Sequence, residues 1–531
     1  LRANASVTYI DSDNENRPGT GYTDDNPMQS FTWFGRQTDM NALRNYVCTG
    51  DEPTPCIIGG QYNWNYNYHN NPFWGALVNK NYDQKDRLLS NADLTYQVND
   101  WITATGRIGR DWSRDHRKRV IEVNSLDNPD GGFGENTIYR ALTNADMLVS
   151  GTRQLLPDIS MDVTAGAHMA TFKHETSNVG VSKLIVPGLF TIDIDAGTVI
   201  PTYNLTEWET RYLSGSVSLN YKGWCNVDVT GRNDWSSTLP EGSNSYFYPS
   251  VSSAFVFTDA LDLSSNFFSS GKVRASWTRV GNDAGPYQLA SVYGSLQAWG
   301  GTPMFQVPNE LPNETLKPAE TTAWEVGADL GFFNERLGFV VTNYDRSTKN
   351  QILGVEISST SGYNNQRLNA GEIRTHCVEL LLKAMPVRLD NGFRWNVTMN
   401  WSKNNSEVVD LYGDLKTLRL GGQWSMNVEA RKGEPYGLFF GNGYLKDDQG
   451  RWMLDSSGRP QRDTNRRVLG NYNPDWLGGI QNRFSYGSFD LSVLVDGQRG
   501  GDIFSITNWF GEYAGVLKST LRGRENDFCD P

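Results

Sequence analysis

No run of eighteen apolar residues occurs anywhere in the 531 residues, so no segment is read as a membrane-spanning helix. Basic charge is also in short supply. The 48 Lys and Arg against 60 Asp and Glu leave a net charge of -12, and no basic stripe argues for a nucleic-acid partner. The five histidines (69, 116, 168, 174 and 376) are scattered. His168 and His174 flank a strand end without the spacing of a helical zinc pair, and they are read as solvated side chains. The five cysteines have no metal-site spacing either. Cys48 and Cys56 bracket a loop, a spacing compatible with a local disulfide in an oxidising compartment. Cys225 reads as a small packing residue in a strand, and Cys377 and Cys529 have no evident partner. The Gly-rich GGFGEN at 131–136 lacks a following helix and a phosphate-binding Lys, so it is read as a flexible loop. Without a nucleophile beside a base, or a set of metal ligands, the chain is not read as an enzyme and no cofactor or metal is expected. No leader peptide is visible. Leu1 opens inside a strand-like pattern and Asp530-Pro531 closes on a loop, so both ends read as cut.

What the chain does have is a period of two. In ETTAWEVGADLGFF, Trp324, Val326, Ala328, Leu330 and Phe332 alternate with Glu325, Gly327, Asp329 and Gly331. Asn334-Glu335 interrupts the pattern and a second extended run follows to about Leu353, which predicts an antiparallel hairpin. Similar alternation recurs along the chain. Leu213, Val217, Leu219 and Tyr221 stand against Ser214, Ser216, Ser218 and Asn220. Trp395, Val397, Met399 and Trp401 stand against Arg394, Asn396, Thr398 and Asn400. Helical periodicity is absent over any long window.

The connections alternate between short turns and long loops. Long loops are expected at 13–85, 118–136, 178–206, 237–246, 284–319, 354–370 and 411–473. The first is rich in Asn, Tyr and Trp, and its aromatic density argues against disorder. A soluble sandwich has no reason to gather its long connections at one end, whereas an outer-membrane barrel has short periplasmic turns and long extracellular loops. The Ser, Asn, Asp and Arg of the polar faces suit a wet lumen, since a dry core would charge several kcal/mol for each unpaired group. The mean hydropathy of -0.53 does not oppose this, because lipid-facing and lumen-facing residues average out. The fold class is therefore all-β, a transmembrane antiparallel β-barrel. Trp101, Tyr221, Trp224, Trp395, Trp401 and Tyr486, at strand ends, read as interface girdle.

Several segments resemble the SusC/RagA family of TonB-dependent outer-membrane transporters. They are LKPAETTAWEVGADLGFFNERLGFVVTNYDRSTKNQIL at 316–353, SGYNNQRLNAGEIRTHCVELLLKA at 361–384 and NPDWLGGIQNRFSYGSFDLSVLVDGQRGG at 473–501. YFYPSVSSAFVFTDAL at 246–261, KVRASWTRVGNDAGPYQ at 272–288 and FTWFGRQTDMNALRNY at 31–46 add to the match. The resemblance implies that residues 1–531 are part of a barrel domain of about twenty-two strands. About fifteen of these are counted here, with 13–85 as a long extracellular loop and 411–473 as a long insert. Four strands before Leu1 and three after Pro531 would satisfy strand number and direction together. Near the insert, relatives often carry an Asp/Asn-rich, calcium-loop-like stretch. DDQGRWMLDSSGRPQRDTN at 447–465 is too degenerate for a metal to be assigned.

The resemblance further implies TonB-driven import of an oligosaccharide or a peptide. A plug outside this chain would be displaced by TonB, and a SusD-like surface lipoprotein would serve as a lid. The expected surroundings are outer-membrane lipid. A passive porin or structural outer-membrane barrel, and a secreted β-rich glycan-binding protein, are the alternatives. Candidate ligand contacts are the loop and lumen aromatics Trp33, Tyr62, Trp64, Tyr66, Trp74, Tyr293 and Trp299. Each either stacks on a ligand or lid, or packs a large loop together.

Overall fold

The computed structural model describes residues 1–521 apart from 18, 24–25, 36, 53–55, 65, 67–68, 193–198 and 200; Cys529 lies outside the described residues. One antiparallel sheet of fifteen strands dominates. Its members are β1 (Arg2–Glu15), β2 (Asn81–Gln97), β3 (Ile102–Ile121), β4 (Gly132–Leu156), β5 (Ile159–Val181), β6 (Thr202–Tyr221), β7 (Cys225–Ser236) and β8 (Ser245–Val256). The wall continues through β9 (Phe268–Asn282), β10 (Ala319–Phe332), β11 (Leu337–Lys349), β12 (Glu372–Arg388), β13 (Arg394–Asp410), β14 (Pro474–Tyr486) and β15 (Phe489–Gly500). Each strand pairs with the next one in sequence, and β1 and β15 are the two edges. No helix is long and apolar enough to cross a membrane among the described residues, which says nothing about crossing by strands.

Cross-strand partners in an antiparallel pair share a face. Following them across the sheet gives a row of Ala3, Leu94, Gly106, Met147, Ala167 and Leu213. The same side later carries Val229, Val251, Trp277 and Trp324. It is exposed: Met147 by 62%, Leu213 by 56% and Val326 by 51%. Among the described residues, the four buried apolar clusters lie in or against the loops, such as Val120, Phe133, Val181 and Leu184. Among the described residues no protein covers the apolar face of the sheet, and lipid is the medium that suits it.

Aromatic side chains mark the edges of that band. Trp101, Tyr221, Trp224, Phe255, Phe332, Trp395 and Phe489 sit at the short-turn ends, and Trp277 and Trp324 form the other margin. Phe332 and Trp324 are eight residues apart on β10, ~27 Å along a strand. At barrel tilt that is about 21 Å of height, close to the ~25 Å apolar band of such barrels.

The hairpin of β10 and β11 has the predicted faces, with Trp324 exposed and Glu325 paired to Arg274 on the opposite side. Its turn spans Phe333–Arg336 rather than two residues, and Phe333, Asn334 and Glu335 all take positive φ. Strands also run further than the alternation indicated. The first loop contracts from 13–85 to 16–80, and 118–136 contracts to 122–131. GGFGEN is therefore not a flexible loop. Gly131 makes the turn at φ 70°, and Phe133 is buried at the start of β4. These extensions carry charged residues on both faces, so period two disappears while the ladder continues. The insert between Asp410 and Pro474 holds its own four-stranded sheet, Thr417–Gln423, Met426–Arg431, Leu438–Tyr444 and Arg462–Asn471.

A charge placed at the middle of the apolar band separates these readings. Ala328→Arg should destabilise the wall by about 2–4 kcal/mol in lipid vesicles. Ser347→Arg, above the upper aromatic margin and beside Glu372, should cost about 0–1 kcal/mol. Equal costs in denaturant titrations would place the band elsewhere.

Candidate functional site

The inner face of the wall is polar and internally bonded. One row of cross-strand partners reads Asn4, Asp93, Arg107, Asp146, His168, Tyr212, Asp234 and Tyr246. Asn4 donates to Asp93 over 2.9 Å, and His168 Nδ1 lies 2.6 Å from Asp146 Oδ1. The His168 ring stacks on Tyr212 at 4.4 Å, and Arg232 covers Tyr212 at 3.6 Å while donating to Asp234. His168 is therefore not the solvated histidine expected. It is one member of a packed lumenal ladder, and an isolated histidine in a strand gives no sign of such a partner.

A second group of charges follows on β9 to β11. Arg274 donates to Glu325 and Thr342 and lies 3.6 Å from Asp329, while Lys272 bonds Asp329 at 2.5 Å. Gly327 leaves room for the Arg274 guanidinium, since an added Cβ would sit 2.8 Å from its Nε. Ion pairs of this kind contribute little each, but together they fix a charged, hydrated surface.

Above the wall the first loop folds as a unit. Phe34, Leu43 and Tyr62 form its small core, with Trp64 packed against Phe34. Its asparagines are structural. Asn71 donates to Leu43 O at 2.9 Å and Tyr62 O at 2.7 Å, and its Oδ1 caps the helix Pro72–Leu77. Gln61 donates to Asn124 O at 2.9 Å, and Asn70 Oδ1 accepts Leu126 N at 2.7 Å. These amides pin loop 16–80 to loop 122–131, because an amide side chain can give and accept at once. Cys48 and Cys56 are joined by a disulfide, with Cα atoms 6.1 Å apart. Glu52 lies near both sulfurs, but bonded sulfurs are not thiolate ligands. Its carboxylate instead accepts Thr49 N, Thr49 Oγ1 and Gly50 N at 2.8–2.9 Å, and the Thr49 and Gly50 bonds hold its pKa at about 2.

The seven candidate aromatics separate by location. Trp74 is 2% exposed and donates through Nε1 to Ser125 Oγ at 3.0 Å. Tyr62 is buried in the loop core, and the Tyr66 hydroxyl accepts Asn63 N. Tyr293 and Trp299 stand out on a two-stranded ribbon, Gly294–Trp299 with Thr302–Gln306, exposed by 71% and 80%. Trp33 joins a cluster that the alternation could not show. It lies 4.6 Å from Phe510 and 5.7 Å from Tyr513, while Tyr22 lies 5.1 Å from Trp424. Trp424 in turn lies 4.9 Å from Trp509. The first loop, the insert and the helix Ile506–Tyr513 thus meet through their rings, although β1 and β15 are opposite edges of the sheet. Trp424 reaches the cluster from a hairpin tip where its φ is 51°, a conformation that costs a bulky residue about 1–3 kcal/mol.

The stretch 447–465 is two tandem turns of the form D-x-x-G-R. Asp447 Oδ1 accepts Gln449 N and Arg451 N, and Asp455 Oδ1 accepts Ser457 N and Arg459 N. Those backbone bonds lower both carboxyl pKa values.

An antiparallel meander that is apolar outside and hydrated inside, with long loops at one end, is the wall of an outer-membrane β-barrel. The chain belongs to the family described as TonB dependent receptor-like, beta-barrel, whose model matches residues 3–452. TonB-dependent receptor P26 of Formosa agariphila is 28% identical, covering 90% of this chain and 52% of its own length. TonB-dependent receptor SusC of Bacteroides thetaiotaomicron is 21% identical over 82% of this chain and 45% of its own. The structure of the RagAB peptide transporter superposes with a TM-score of 0.72 at 16% identity, covering 83% of this chain and 50% of that one. That likeness shows the fold. The chain spans about half the length of the relatives it matches.

Two outcomes test the loop architecture. Trp424→Ala should raise hydrogen exchange across Ile506–Tyr513 by about 1–3 kcal/mol of lost protection while β9 and β10 stay unchanged. For Glu52, the stabilisation is fully present above the ordinary value of 4.5 and is lost as pH falls toward about 2. Carbon-detected titration of labelled Glu should place its midpoint there, and Thr49→Ala should move it up.

Proposed function

We propose that the full protein imports an oligosaccharide or a peptide across the outer membrane, driven by TonB through a plug outside this chain. A SusD-like surface lipoprotein closes over the loops. The observation that carries this reading is the pairing of a charged, hydrogen-bonded inner face with aromatic loops that converge above it. A conduit for polar cargo needs the first, and capture of sugar or peptide groups is served by the second. The relatives named as TonB-dependent receptors support the energy source, and the SusC and RagAB likenesses support the cargo class and the lid. Tyr293 and Trp299 are the proposed ligand contacts, with Trp33 as a support held by its ring partners; Tyr62, Trp64, Tyr66 and Trp74 act by shaping the loop. The free edges of β1 and β15 pair, in this reading, with further strands of the same barrel, since unpaired backbone groups are not tolerated in hydrocarbon.

Uptake of labelled oligosaccharide and peptide pools should fall to background in cells lacking TonB. Uptake that persists without TonB would favour a passive porin, and recovery of the protein without detergent would favour a secreted binder. Tyr293→Ala with Trp299→Ala should weaken capture several-fold at unchanged thermal stability. Trp74→Ala should instead destabilise the loop by about 3–5 kcal/mol.

A further inference from the structure

A charged cavity opens at the upper margin of the lipid band, between the wall and the insert, and most of its wall-borne lining belongs to the outer face. Its position follows from register. Trp277, Trp324, Asp345, His376 and Asn405 are successive cross-strand partners, so they share one row on the lipid-facing side. Along that row the side chains change from indole on β9 and β10 to charged and polar groups on β11 to β13. Arg374 lies two residues further out on the same face, opposite Ser347 and Glu407, ~7 Å along the strand. Arg499 faces the same way, opposite Trp476. Asn405 and Arg499 each lie ten residues along their own strands from the short-turn aromatics Trp395 and Phe489, ~34 Å of strand and about 26 Å of height at barrel tilt, so these groups stand level with lipid head groups and not with acyl chains.

The cavity exists because two strands part. β13 and β14 are paired only as far as Ser402 and Leu477. Beyond that point β13 bonds to the insert, with Tyr436 N donating to Ser406 O and Val408 N to Glu434 O. The opening between them measures 980 Å³. Arg374 is held by Asp345, with Nε 3.0 Å from Oδ2. Among the described residues, Lys403 and Arg499 have no ion pair or side-chain hydrogen bond, although both line this cavity. Glu407 and Asp475 also line it without an ion pair, and Trp476 forms part of the wall.

We propose that this cavity binds the phosphorylated saccharide head group of an outer-leaflet glycolipid. Lys403 and Arg499 face the phosphate, Glu407 and Asp475 accept sugar hydroxyls, and the Trp476 indole lies against a sugar ring. Unpartnered cations suit a phosphate, and the mixed lining suits a polar sugar better than a simple anion. The level of the row decides between lipid and soluble ligand, because a head group anchored by its acyl chains is presented at this height. The proposal rests on the membrane placement of the wall and is independent of which cargo the protein imports.

The test uses the full-length protein in detergent, titrated with purified rough-type lipopolysaccharide and read by native mass spectrometry. The wild type should retain one lipopolysaccharide per chain. Lys403→Gln with Arg499→Gln should weaken retention at least tenfold, while Lys403→Arg with Arg499→Lys should keep most of it. Enzymatically dephosphorylated lipopolysaccharide should bind the wild type as weakly as the intact lipid binds the Gln variant. Heat-modifiable migration of each variant on gels reports whether the barrel has folded. Equal retention by wild type and a folded Gln variant overturns the proposal. So does equal binding of the dephosphorylated lipid. Complete displacement by millimolar inorganic phosphate would show a site for a free anion and overturn the head-group assignment.

Discussion

Hydrocarbon offers no hydrogen bonds, so each backbone N–H and C=O that crosses it must find a partner within the protein. That constraint organises the whole chain. It forces neighbouring strands to pair in sequence order, because a short turn is the simplest way to bring the next ladder alongside. It also fixes the side-chain code, since a pleated ladder sends alternate residues to lipid and to water. The outer row through Met147, Ala167 and Leu213 and the inner row through Asp146, His168 and Tyr212 are two faces of one set of backbone bonds. A register slip of one residue would drive Asp146 and His168 into lipid, so each strand's position is strongly specified.

Outside the membrane the constraint relaxes and different chemistry takes over. The loops build small apolar cores of their own and satisfy their backbone with side-chain amides. Asn71 alone links two carbonyls and a helix N-terminus. The aromatic cluster then ties the first loop to the insert and the last helix. The polar wall and the ring-lined mouth are thus products of two separate physical regimes that meet at the upper aromatic margin.

The membrane part was legible in the sequence and the loops were much less so. Alternation at 213–221 and 320–332, together with the order of short and long connections, is enough to infer the wall and its two sides. These signals are local, and each residue's environment follows from its parity. The failures lie where parity stops informing. The extra residues of β3, β4 and β5 mix charges such as Lys118, Arg119 and Glu135 with Val120, Phe133 and Val181, which pack together with Leu184 under a loop and not against lipid, so their ladder continues without an alternating pattern. The company kept by His168 depends on which strand pairs with β5, and Trp33, Trp424 and Phe510 are brought together across hundreds of residues. The Asn-rich stretch near Tyr62 was visible, but its amides look like ordinary loop polarity until their partners are known. Trp74 illustrates the same limit, because a buried indole and a ligand-stacking indole are identical in sequence.

β4 has 25 residues, ~85 Å of strand, whereas the apolar band occupies about 25 Å of height. Most of the excess lies on the loop side, so the wall rises well beyond the bilayer as a stiff hydrogen-bonded collar. The loops are mounted on that collar and not on the membrane surface. Their spacing over the mouth is then insensitive to bilayer thickness, tilt or lipid composition. A mismatch that shifts the barrel by a few ångströms in the membrane would carry the loops up or down together without altering their geometry.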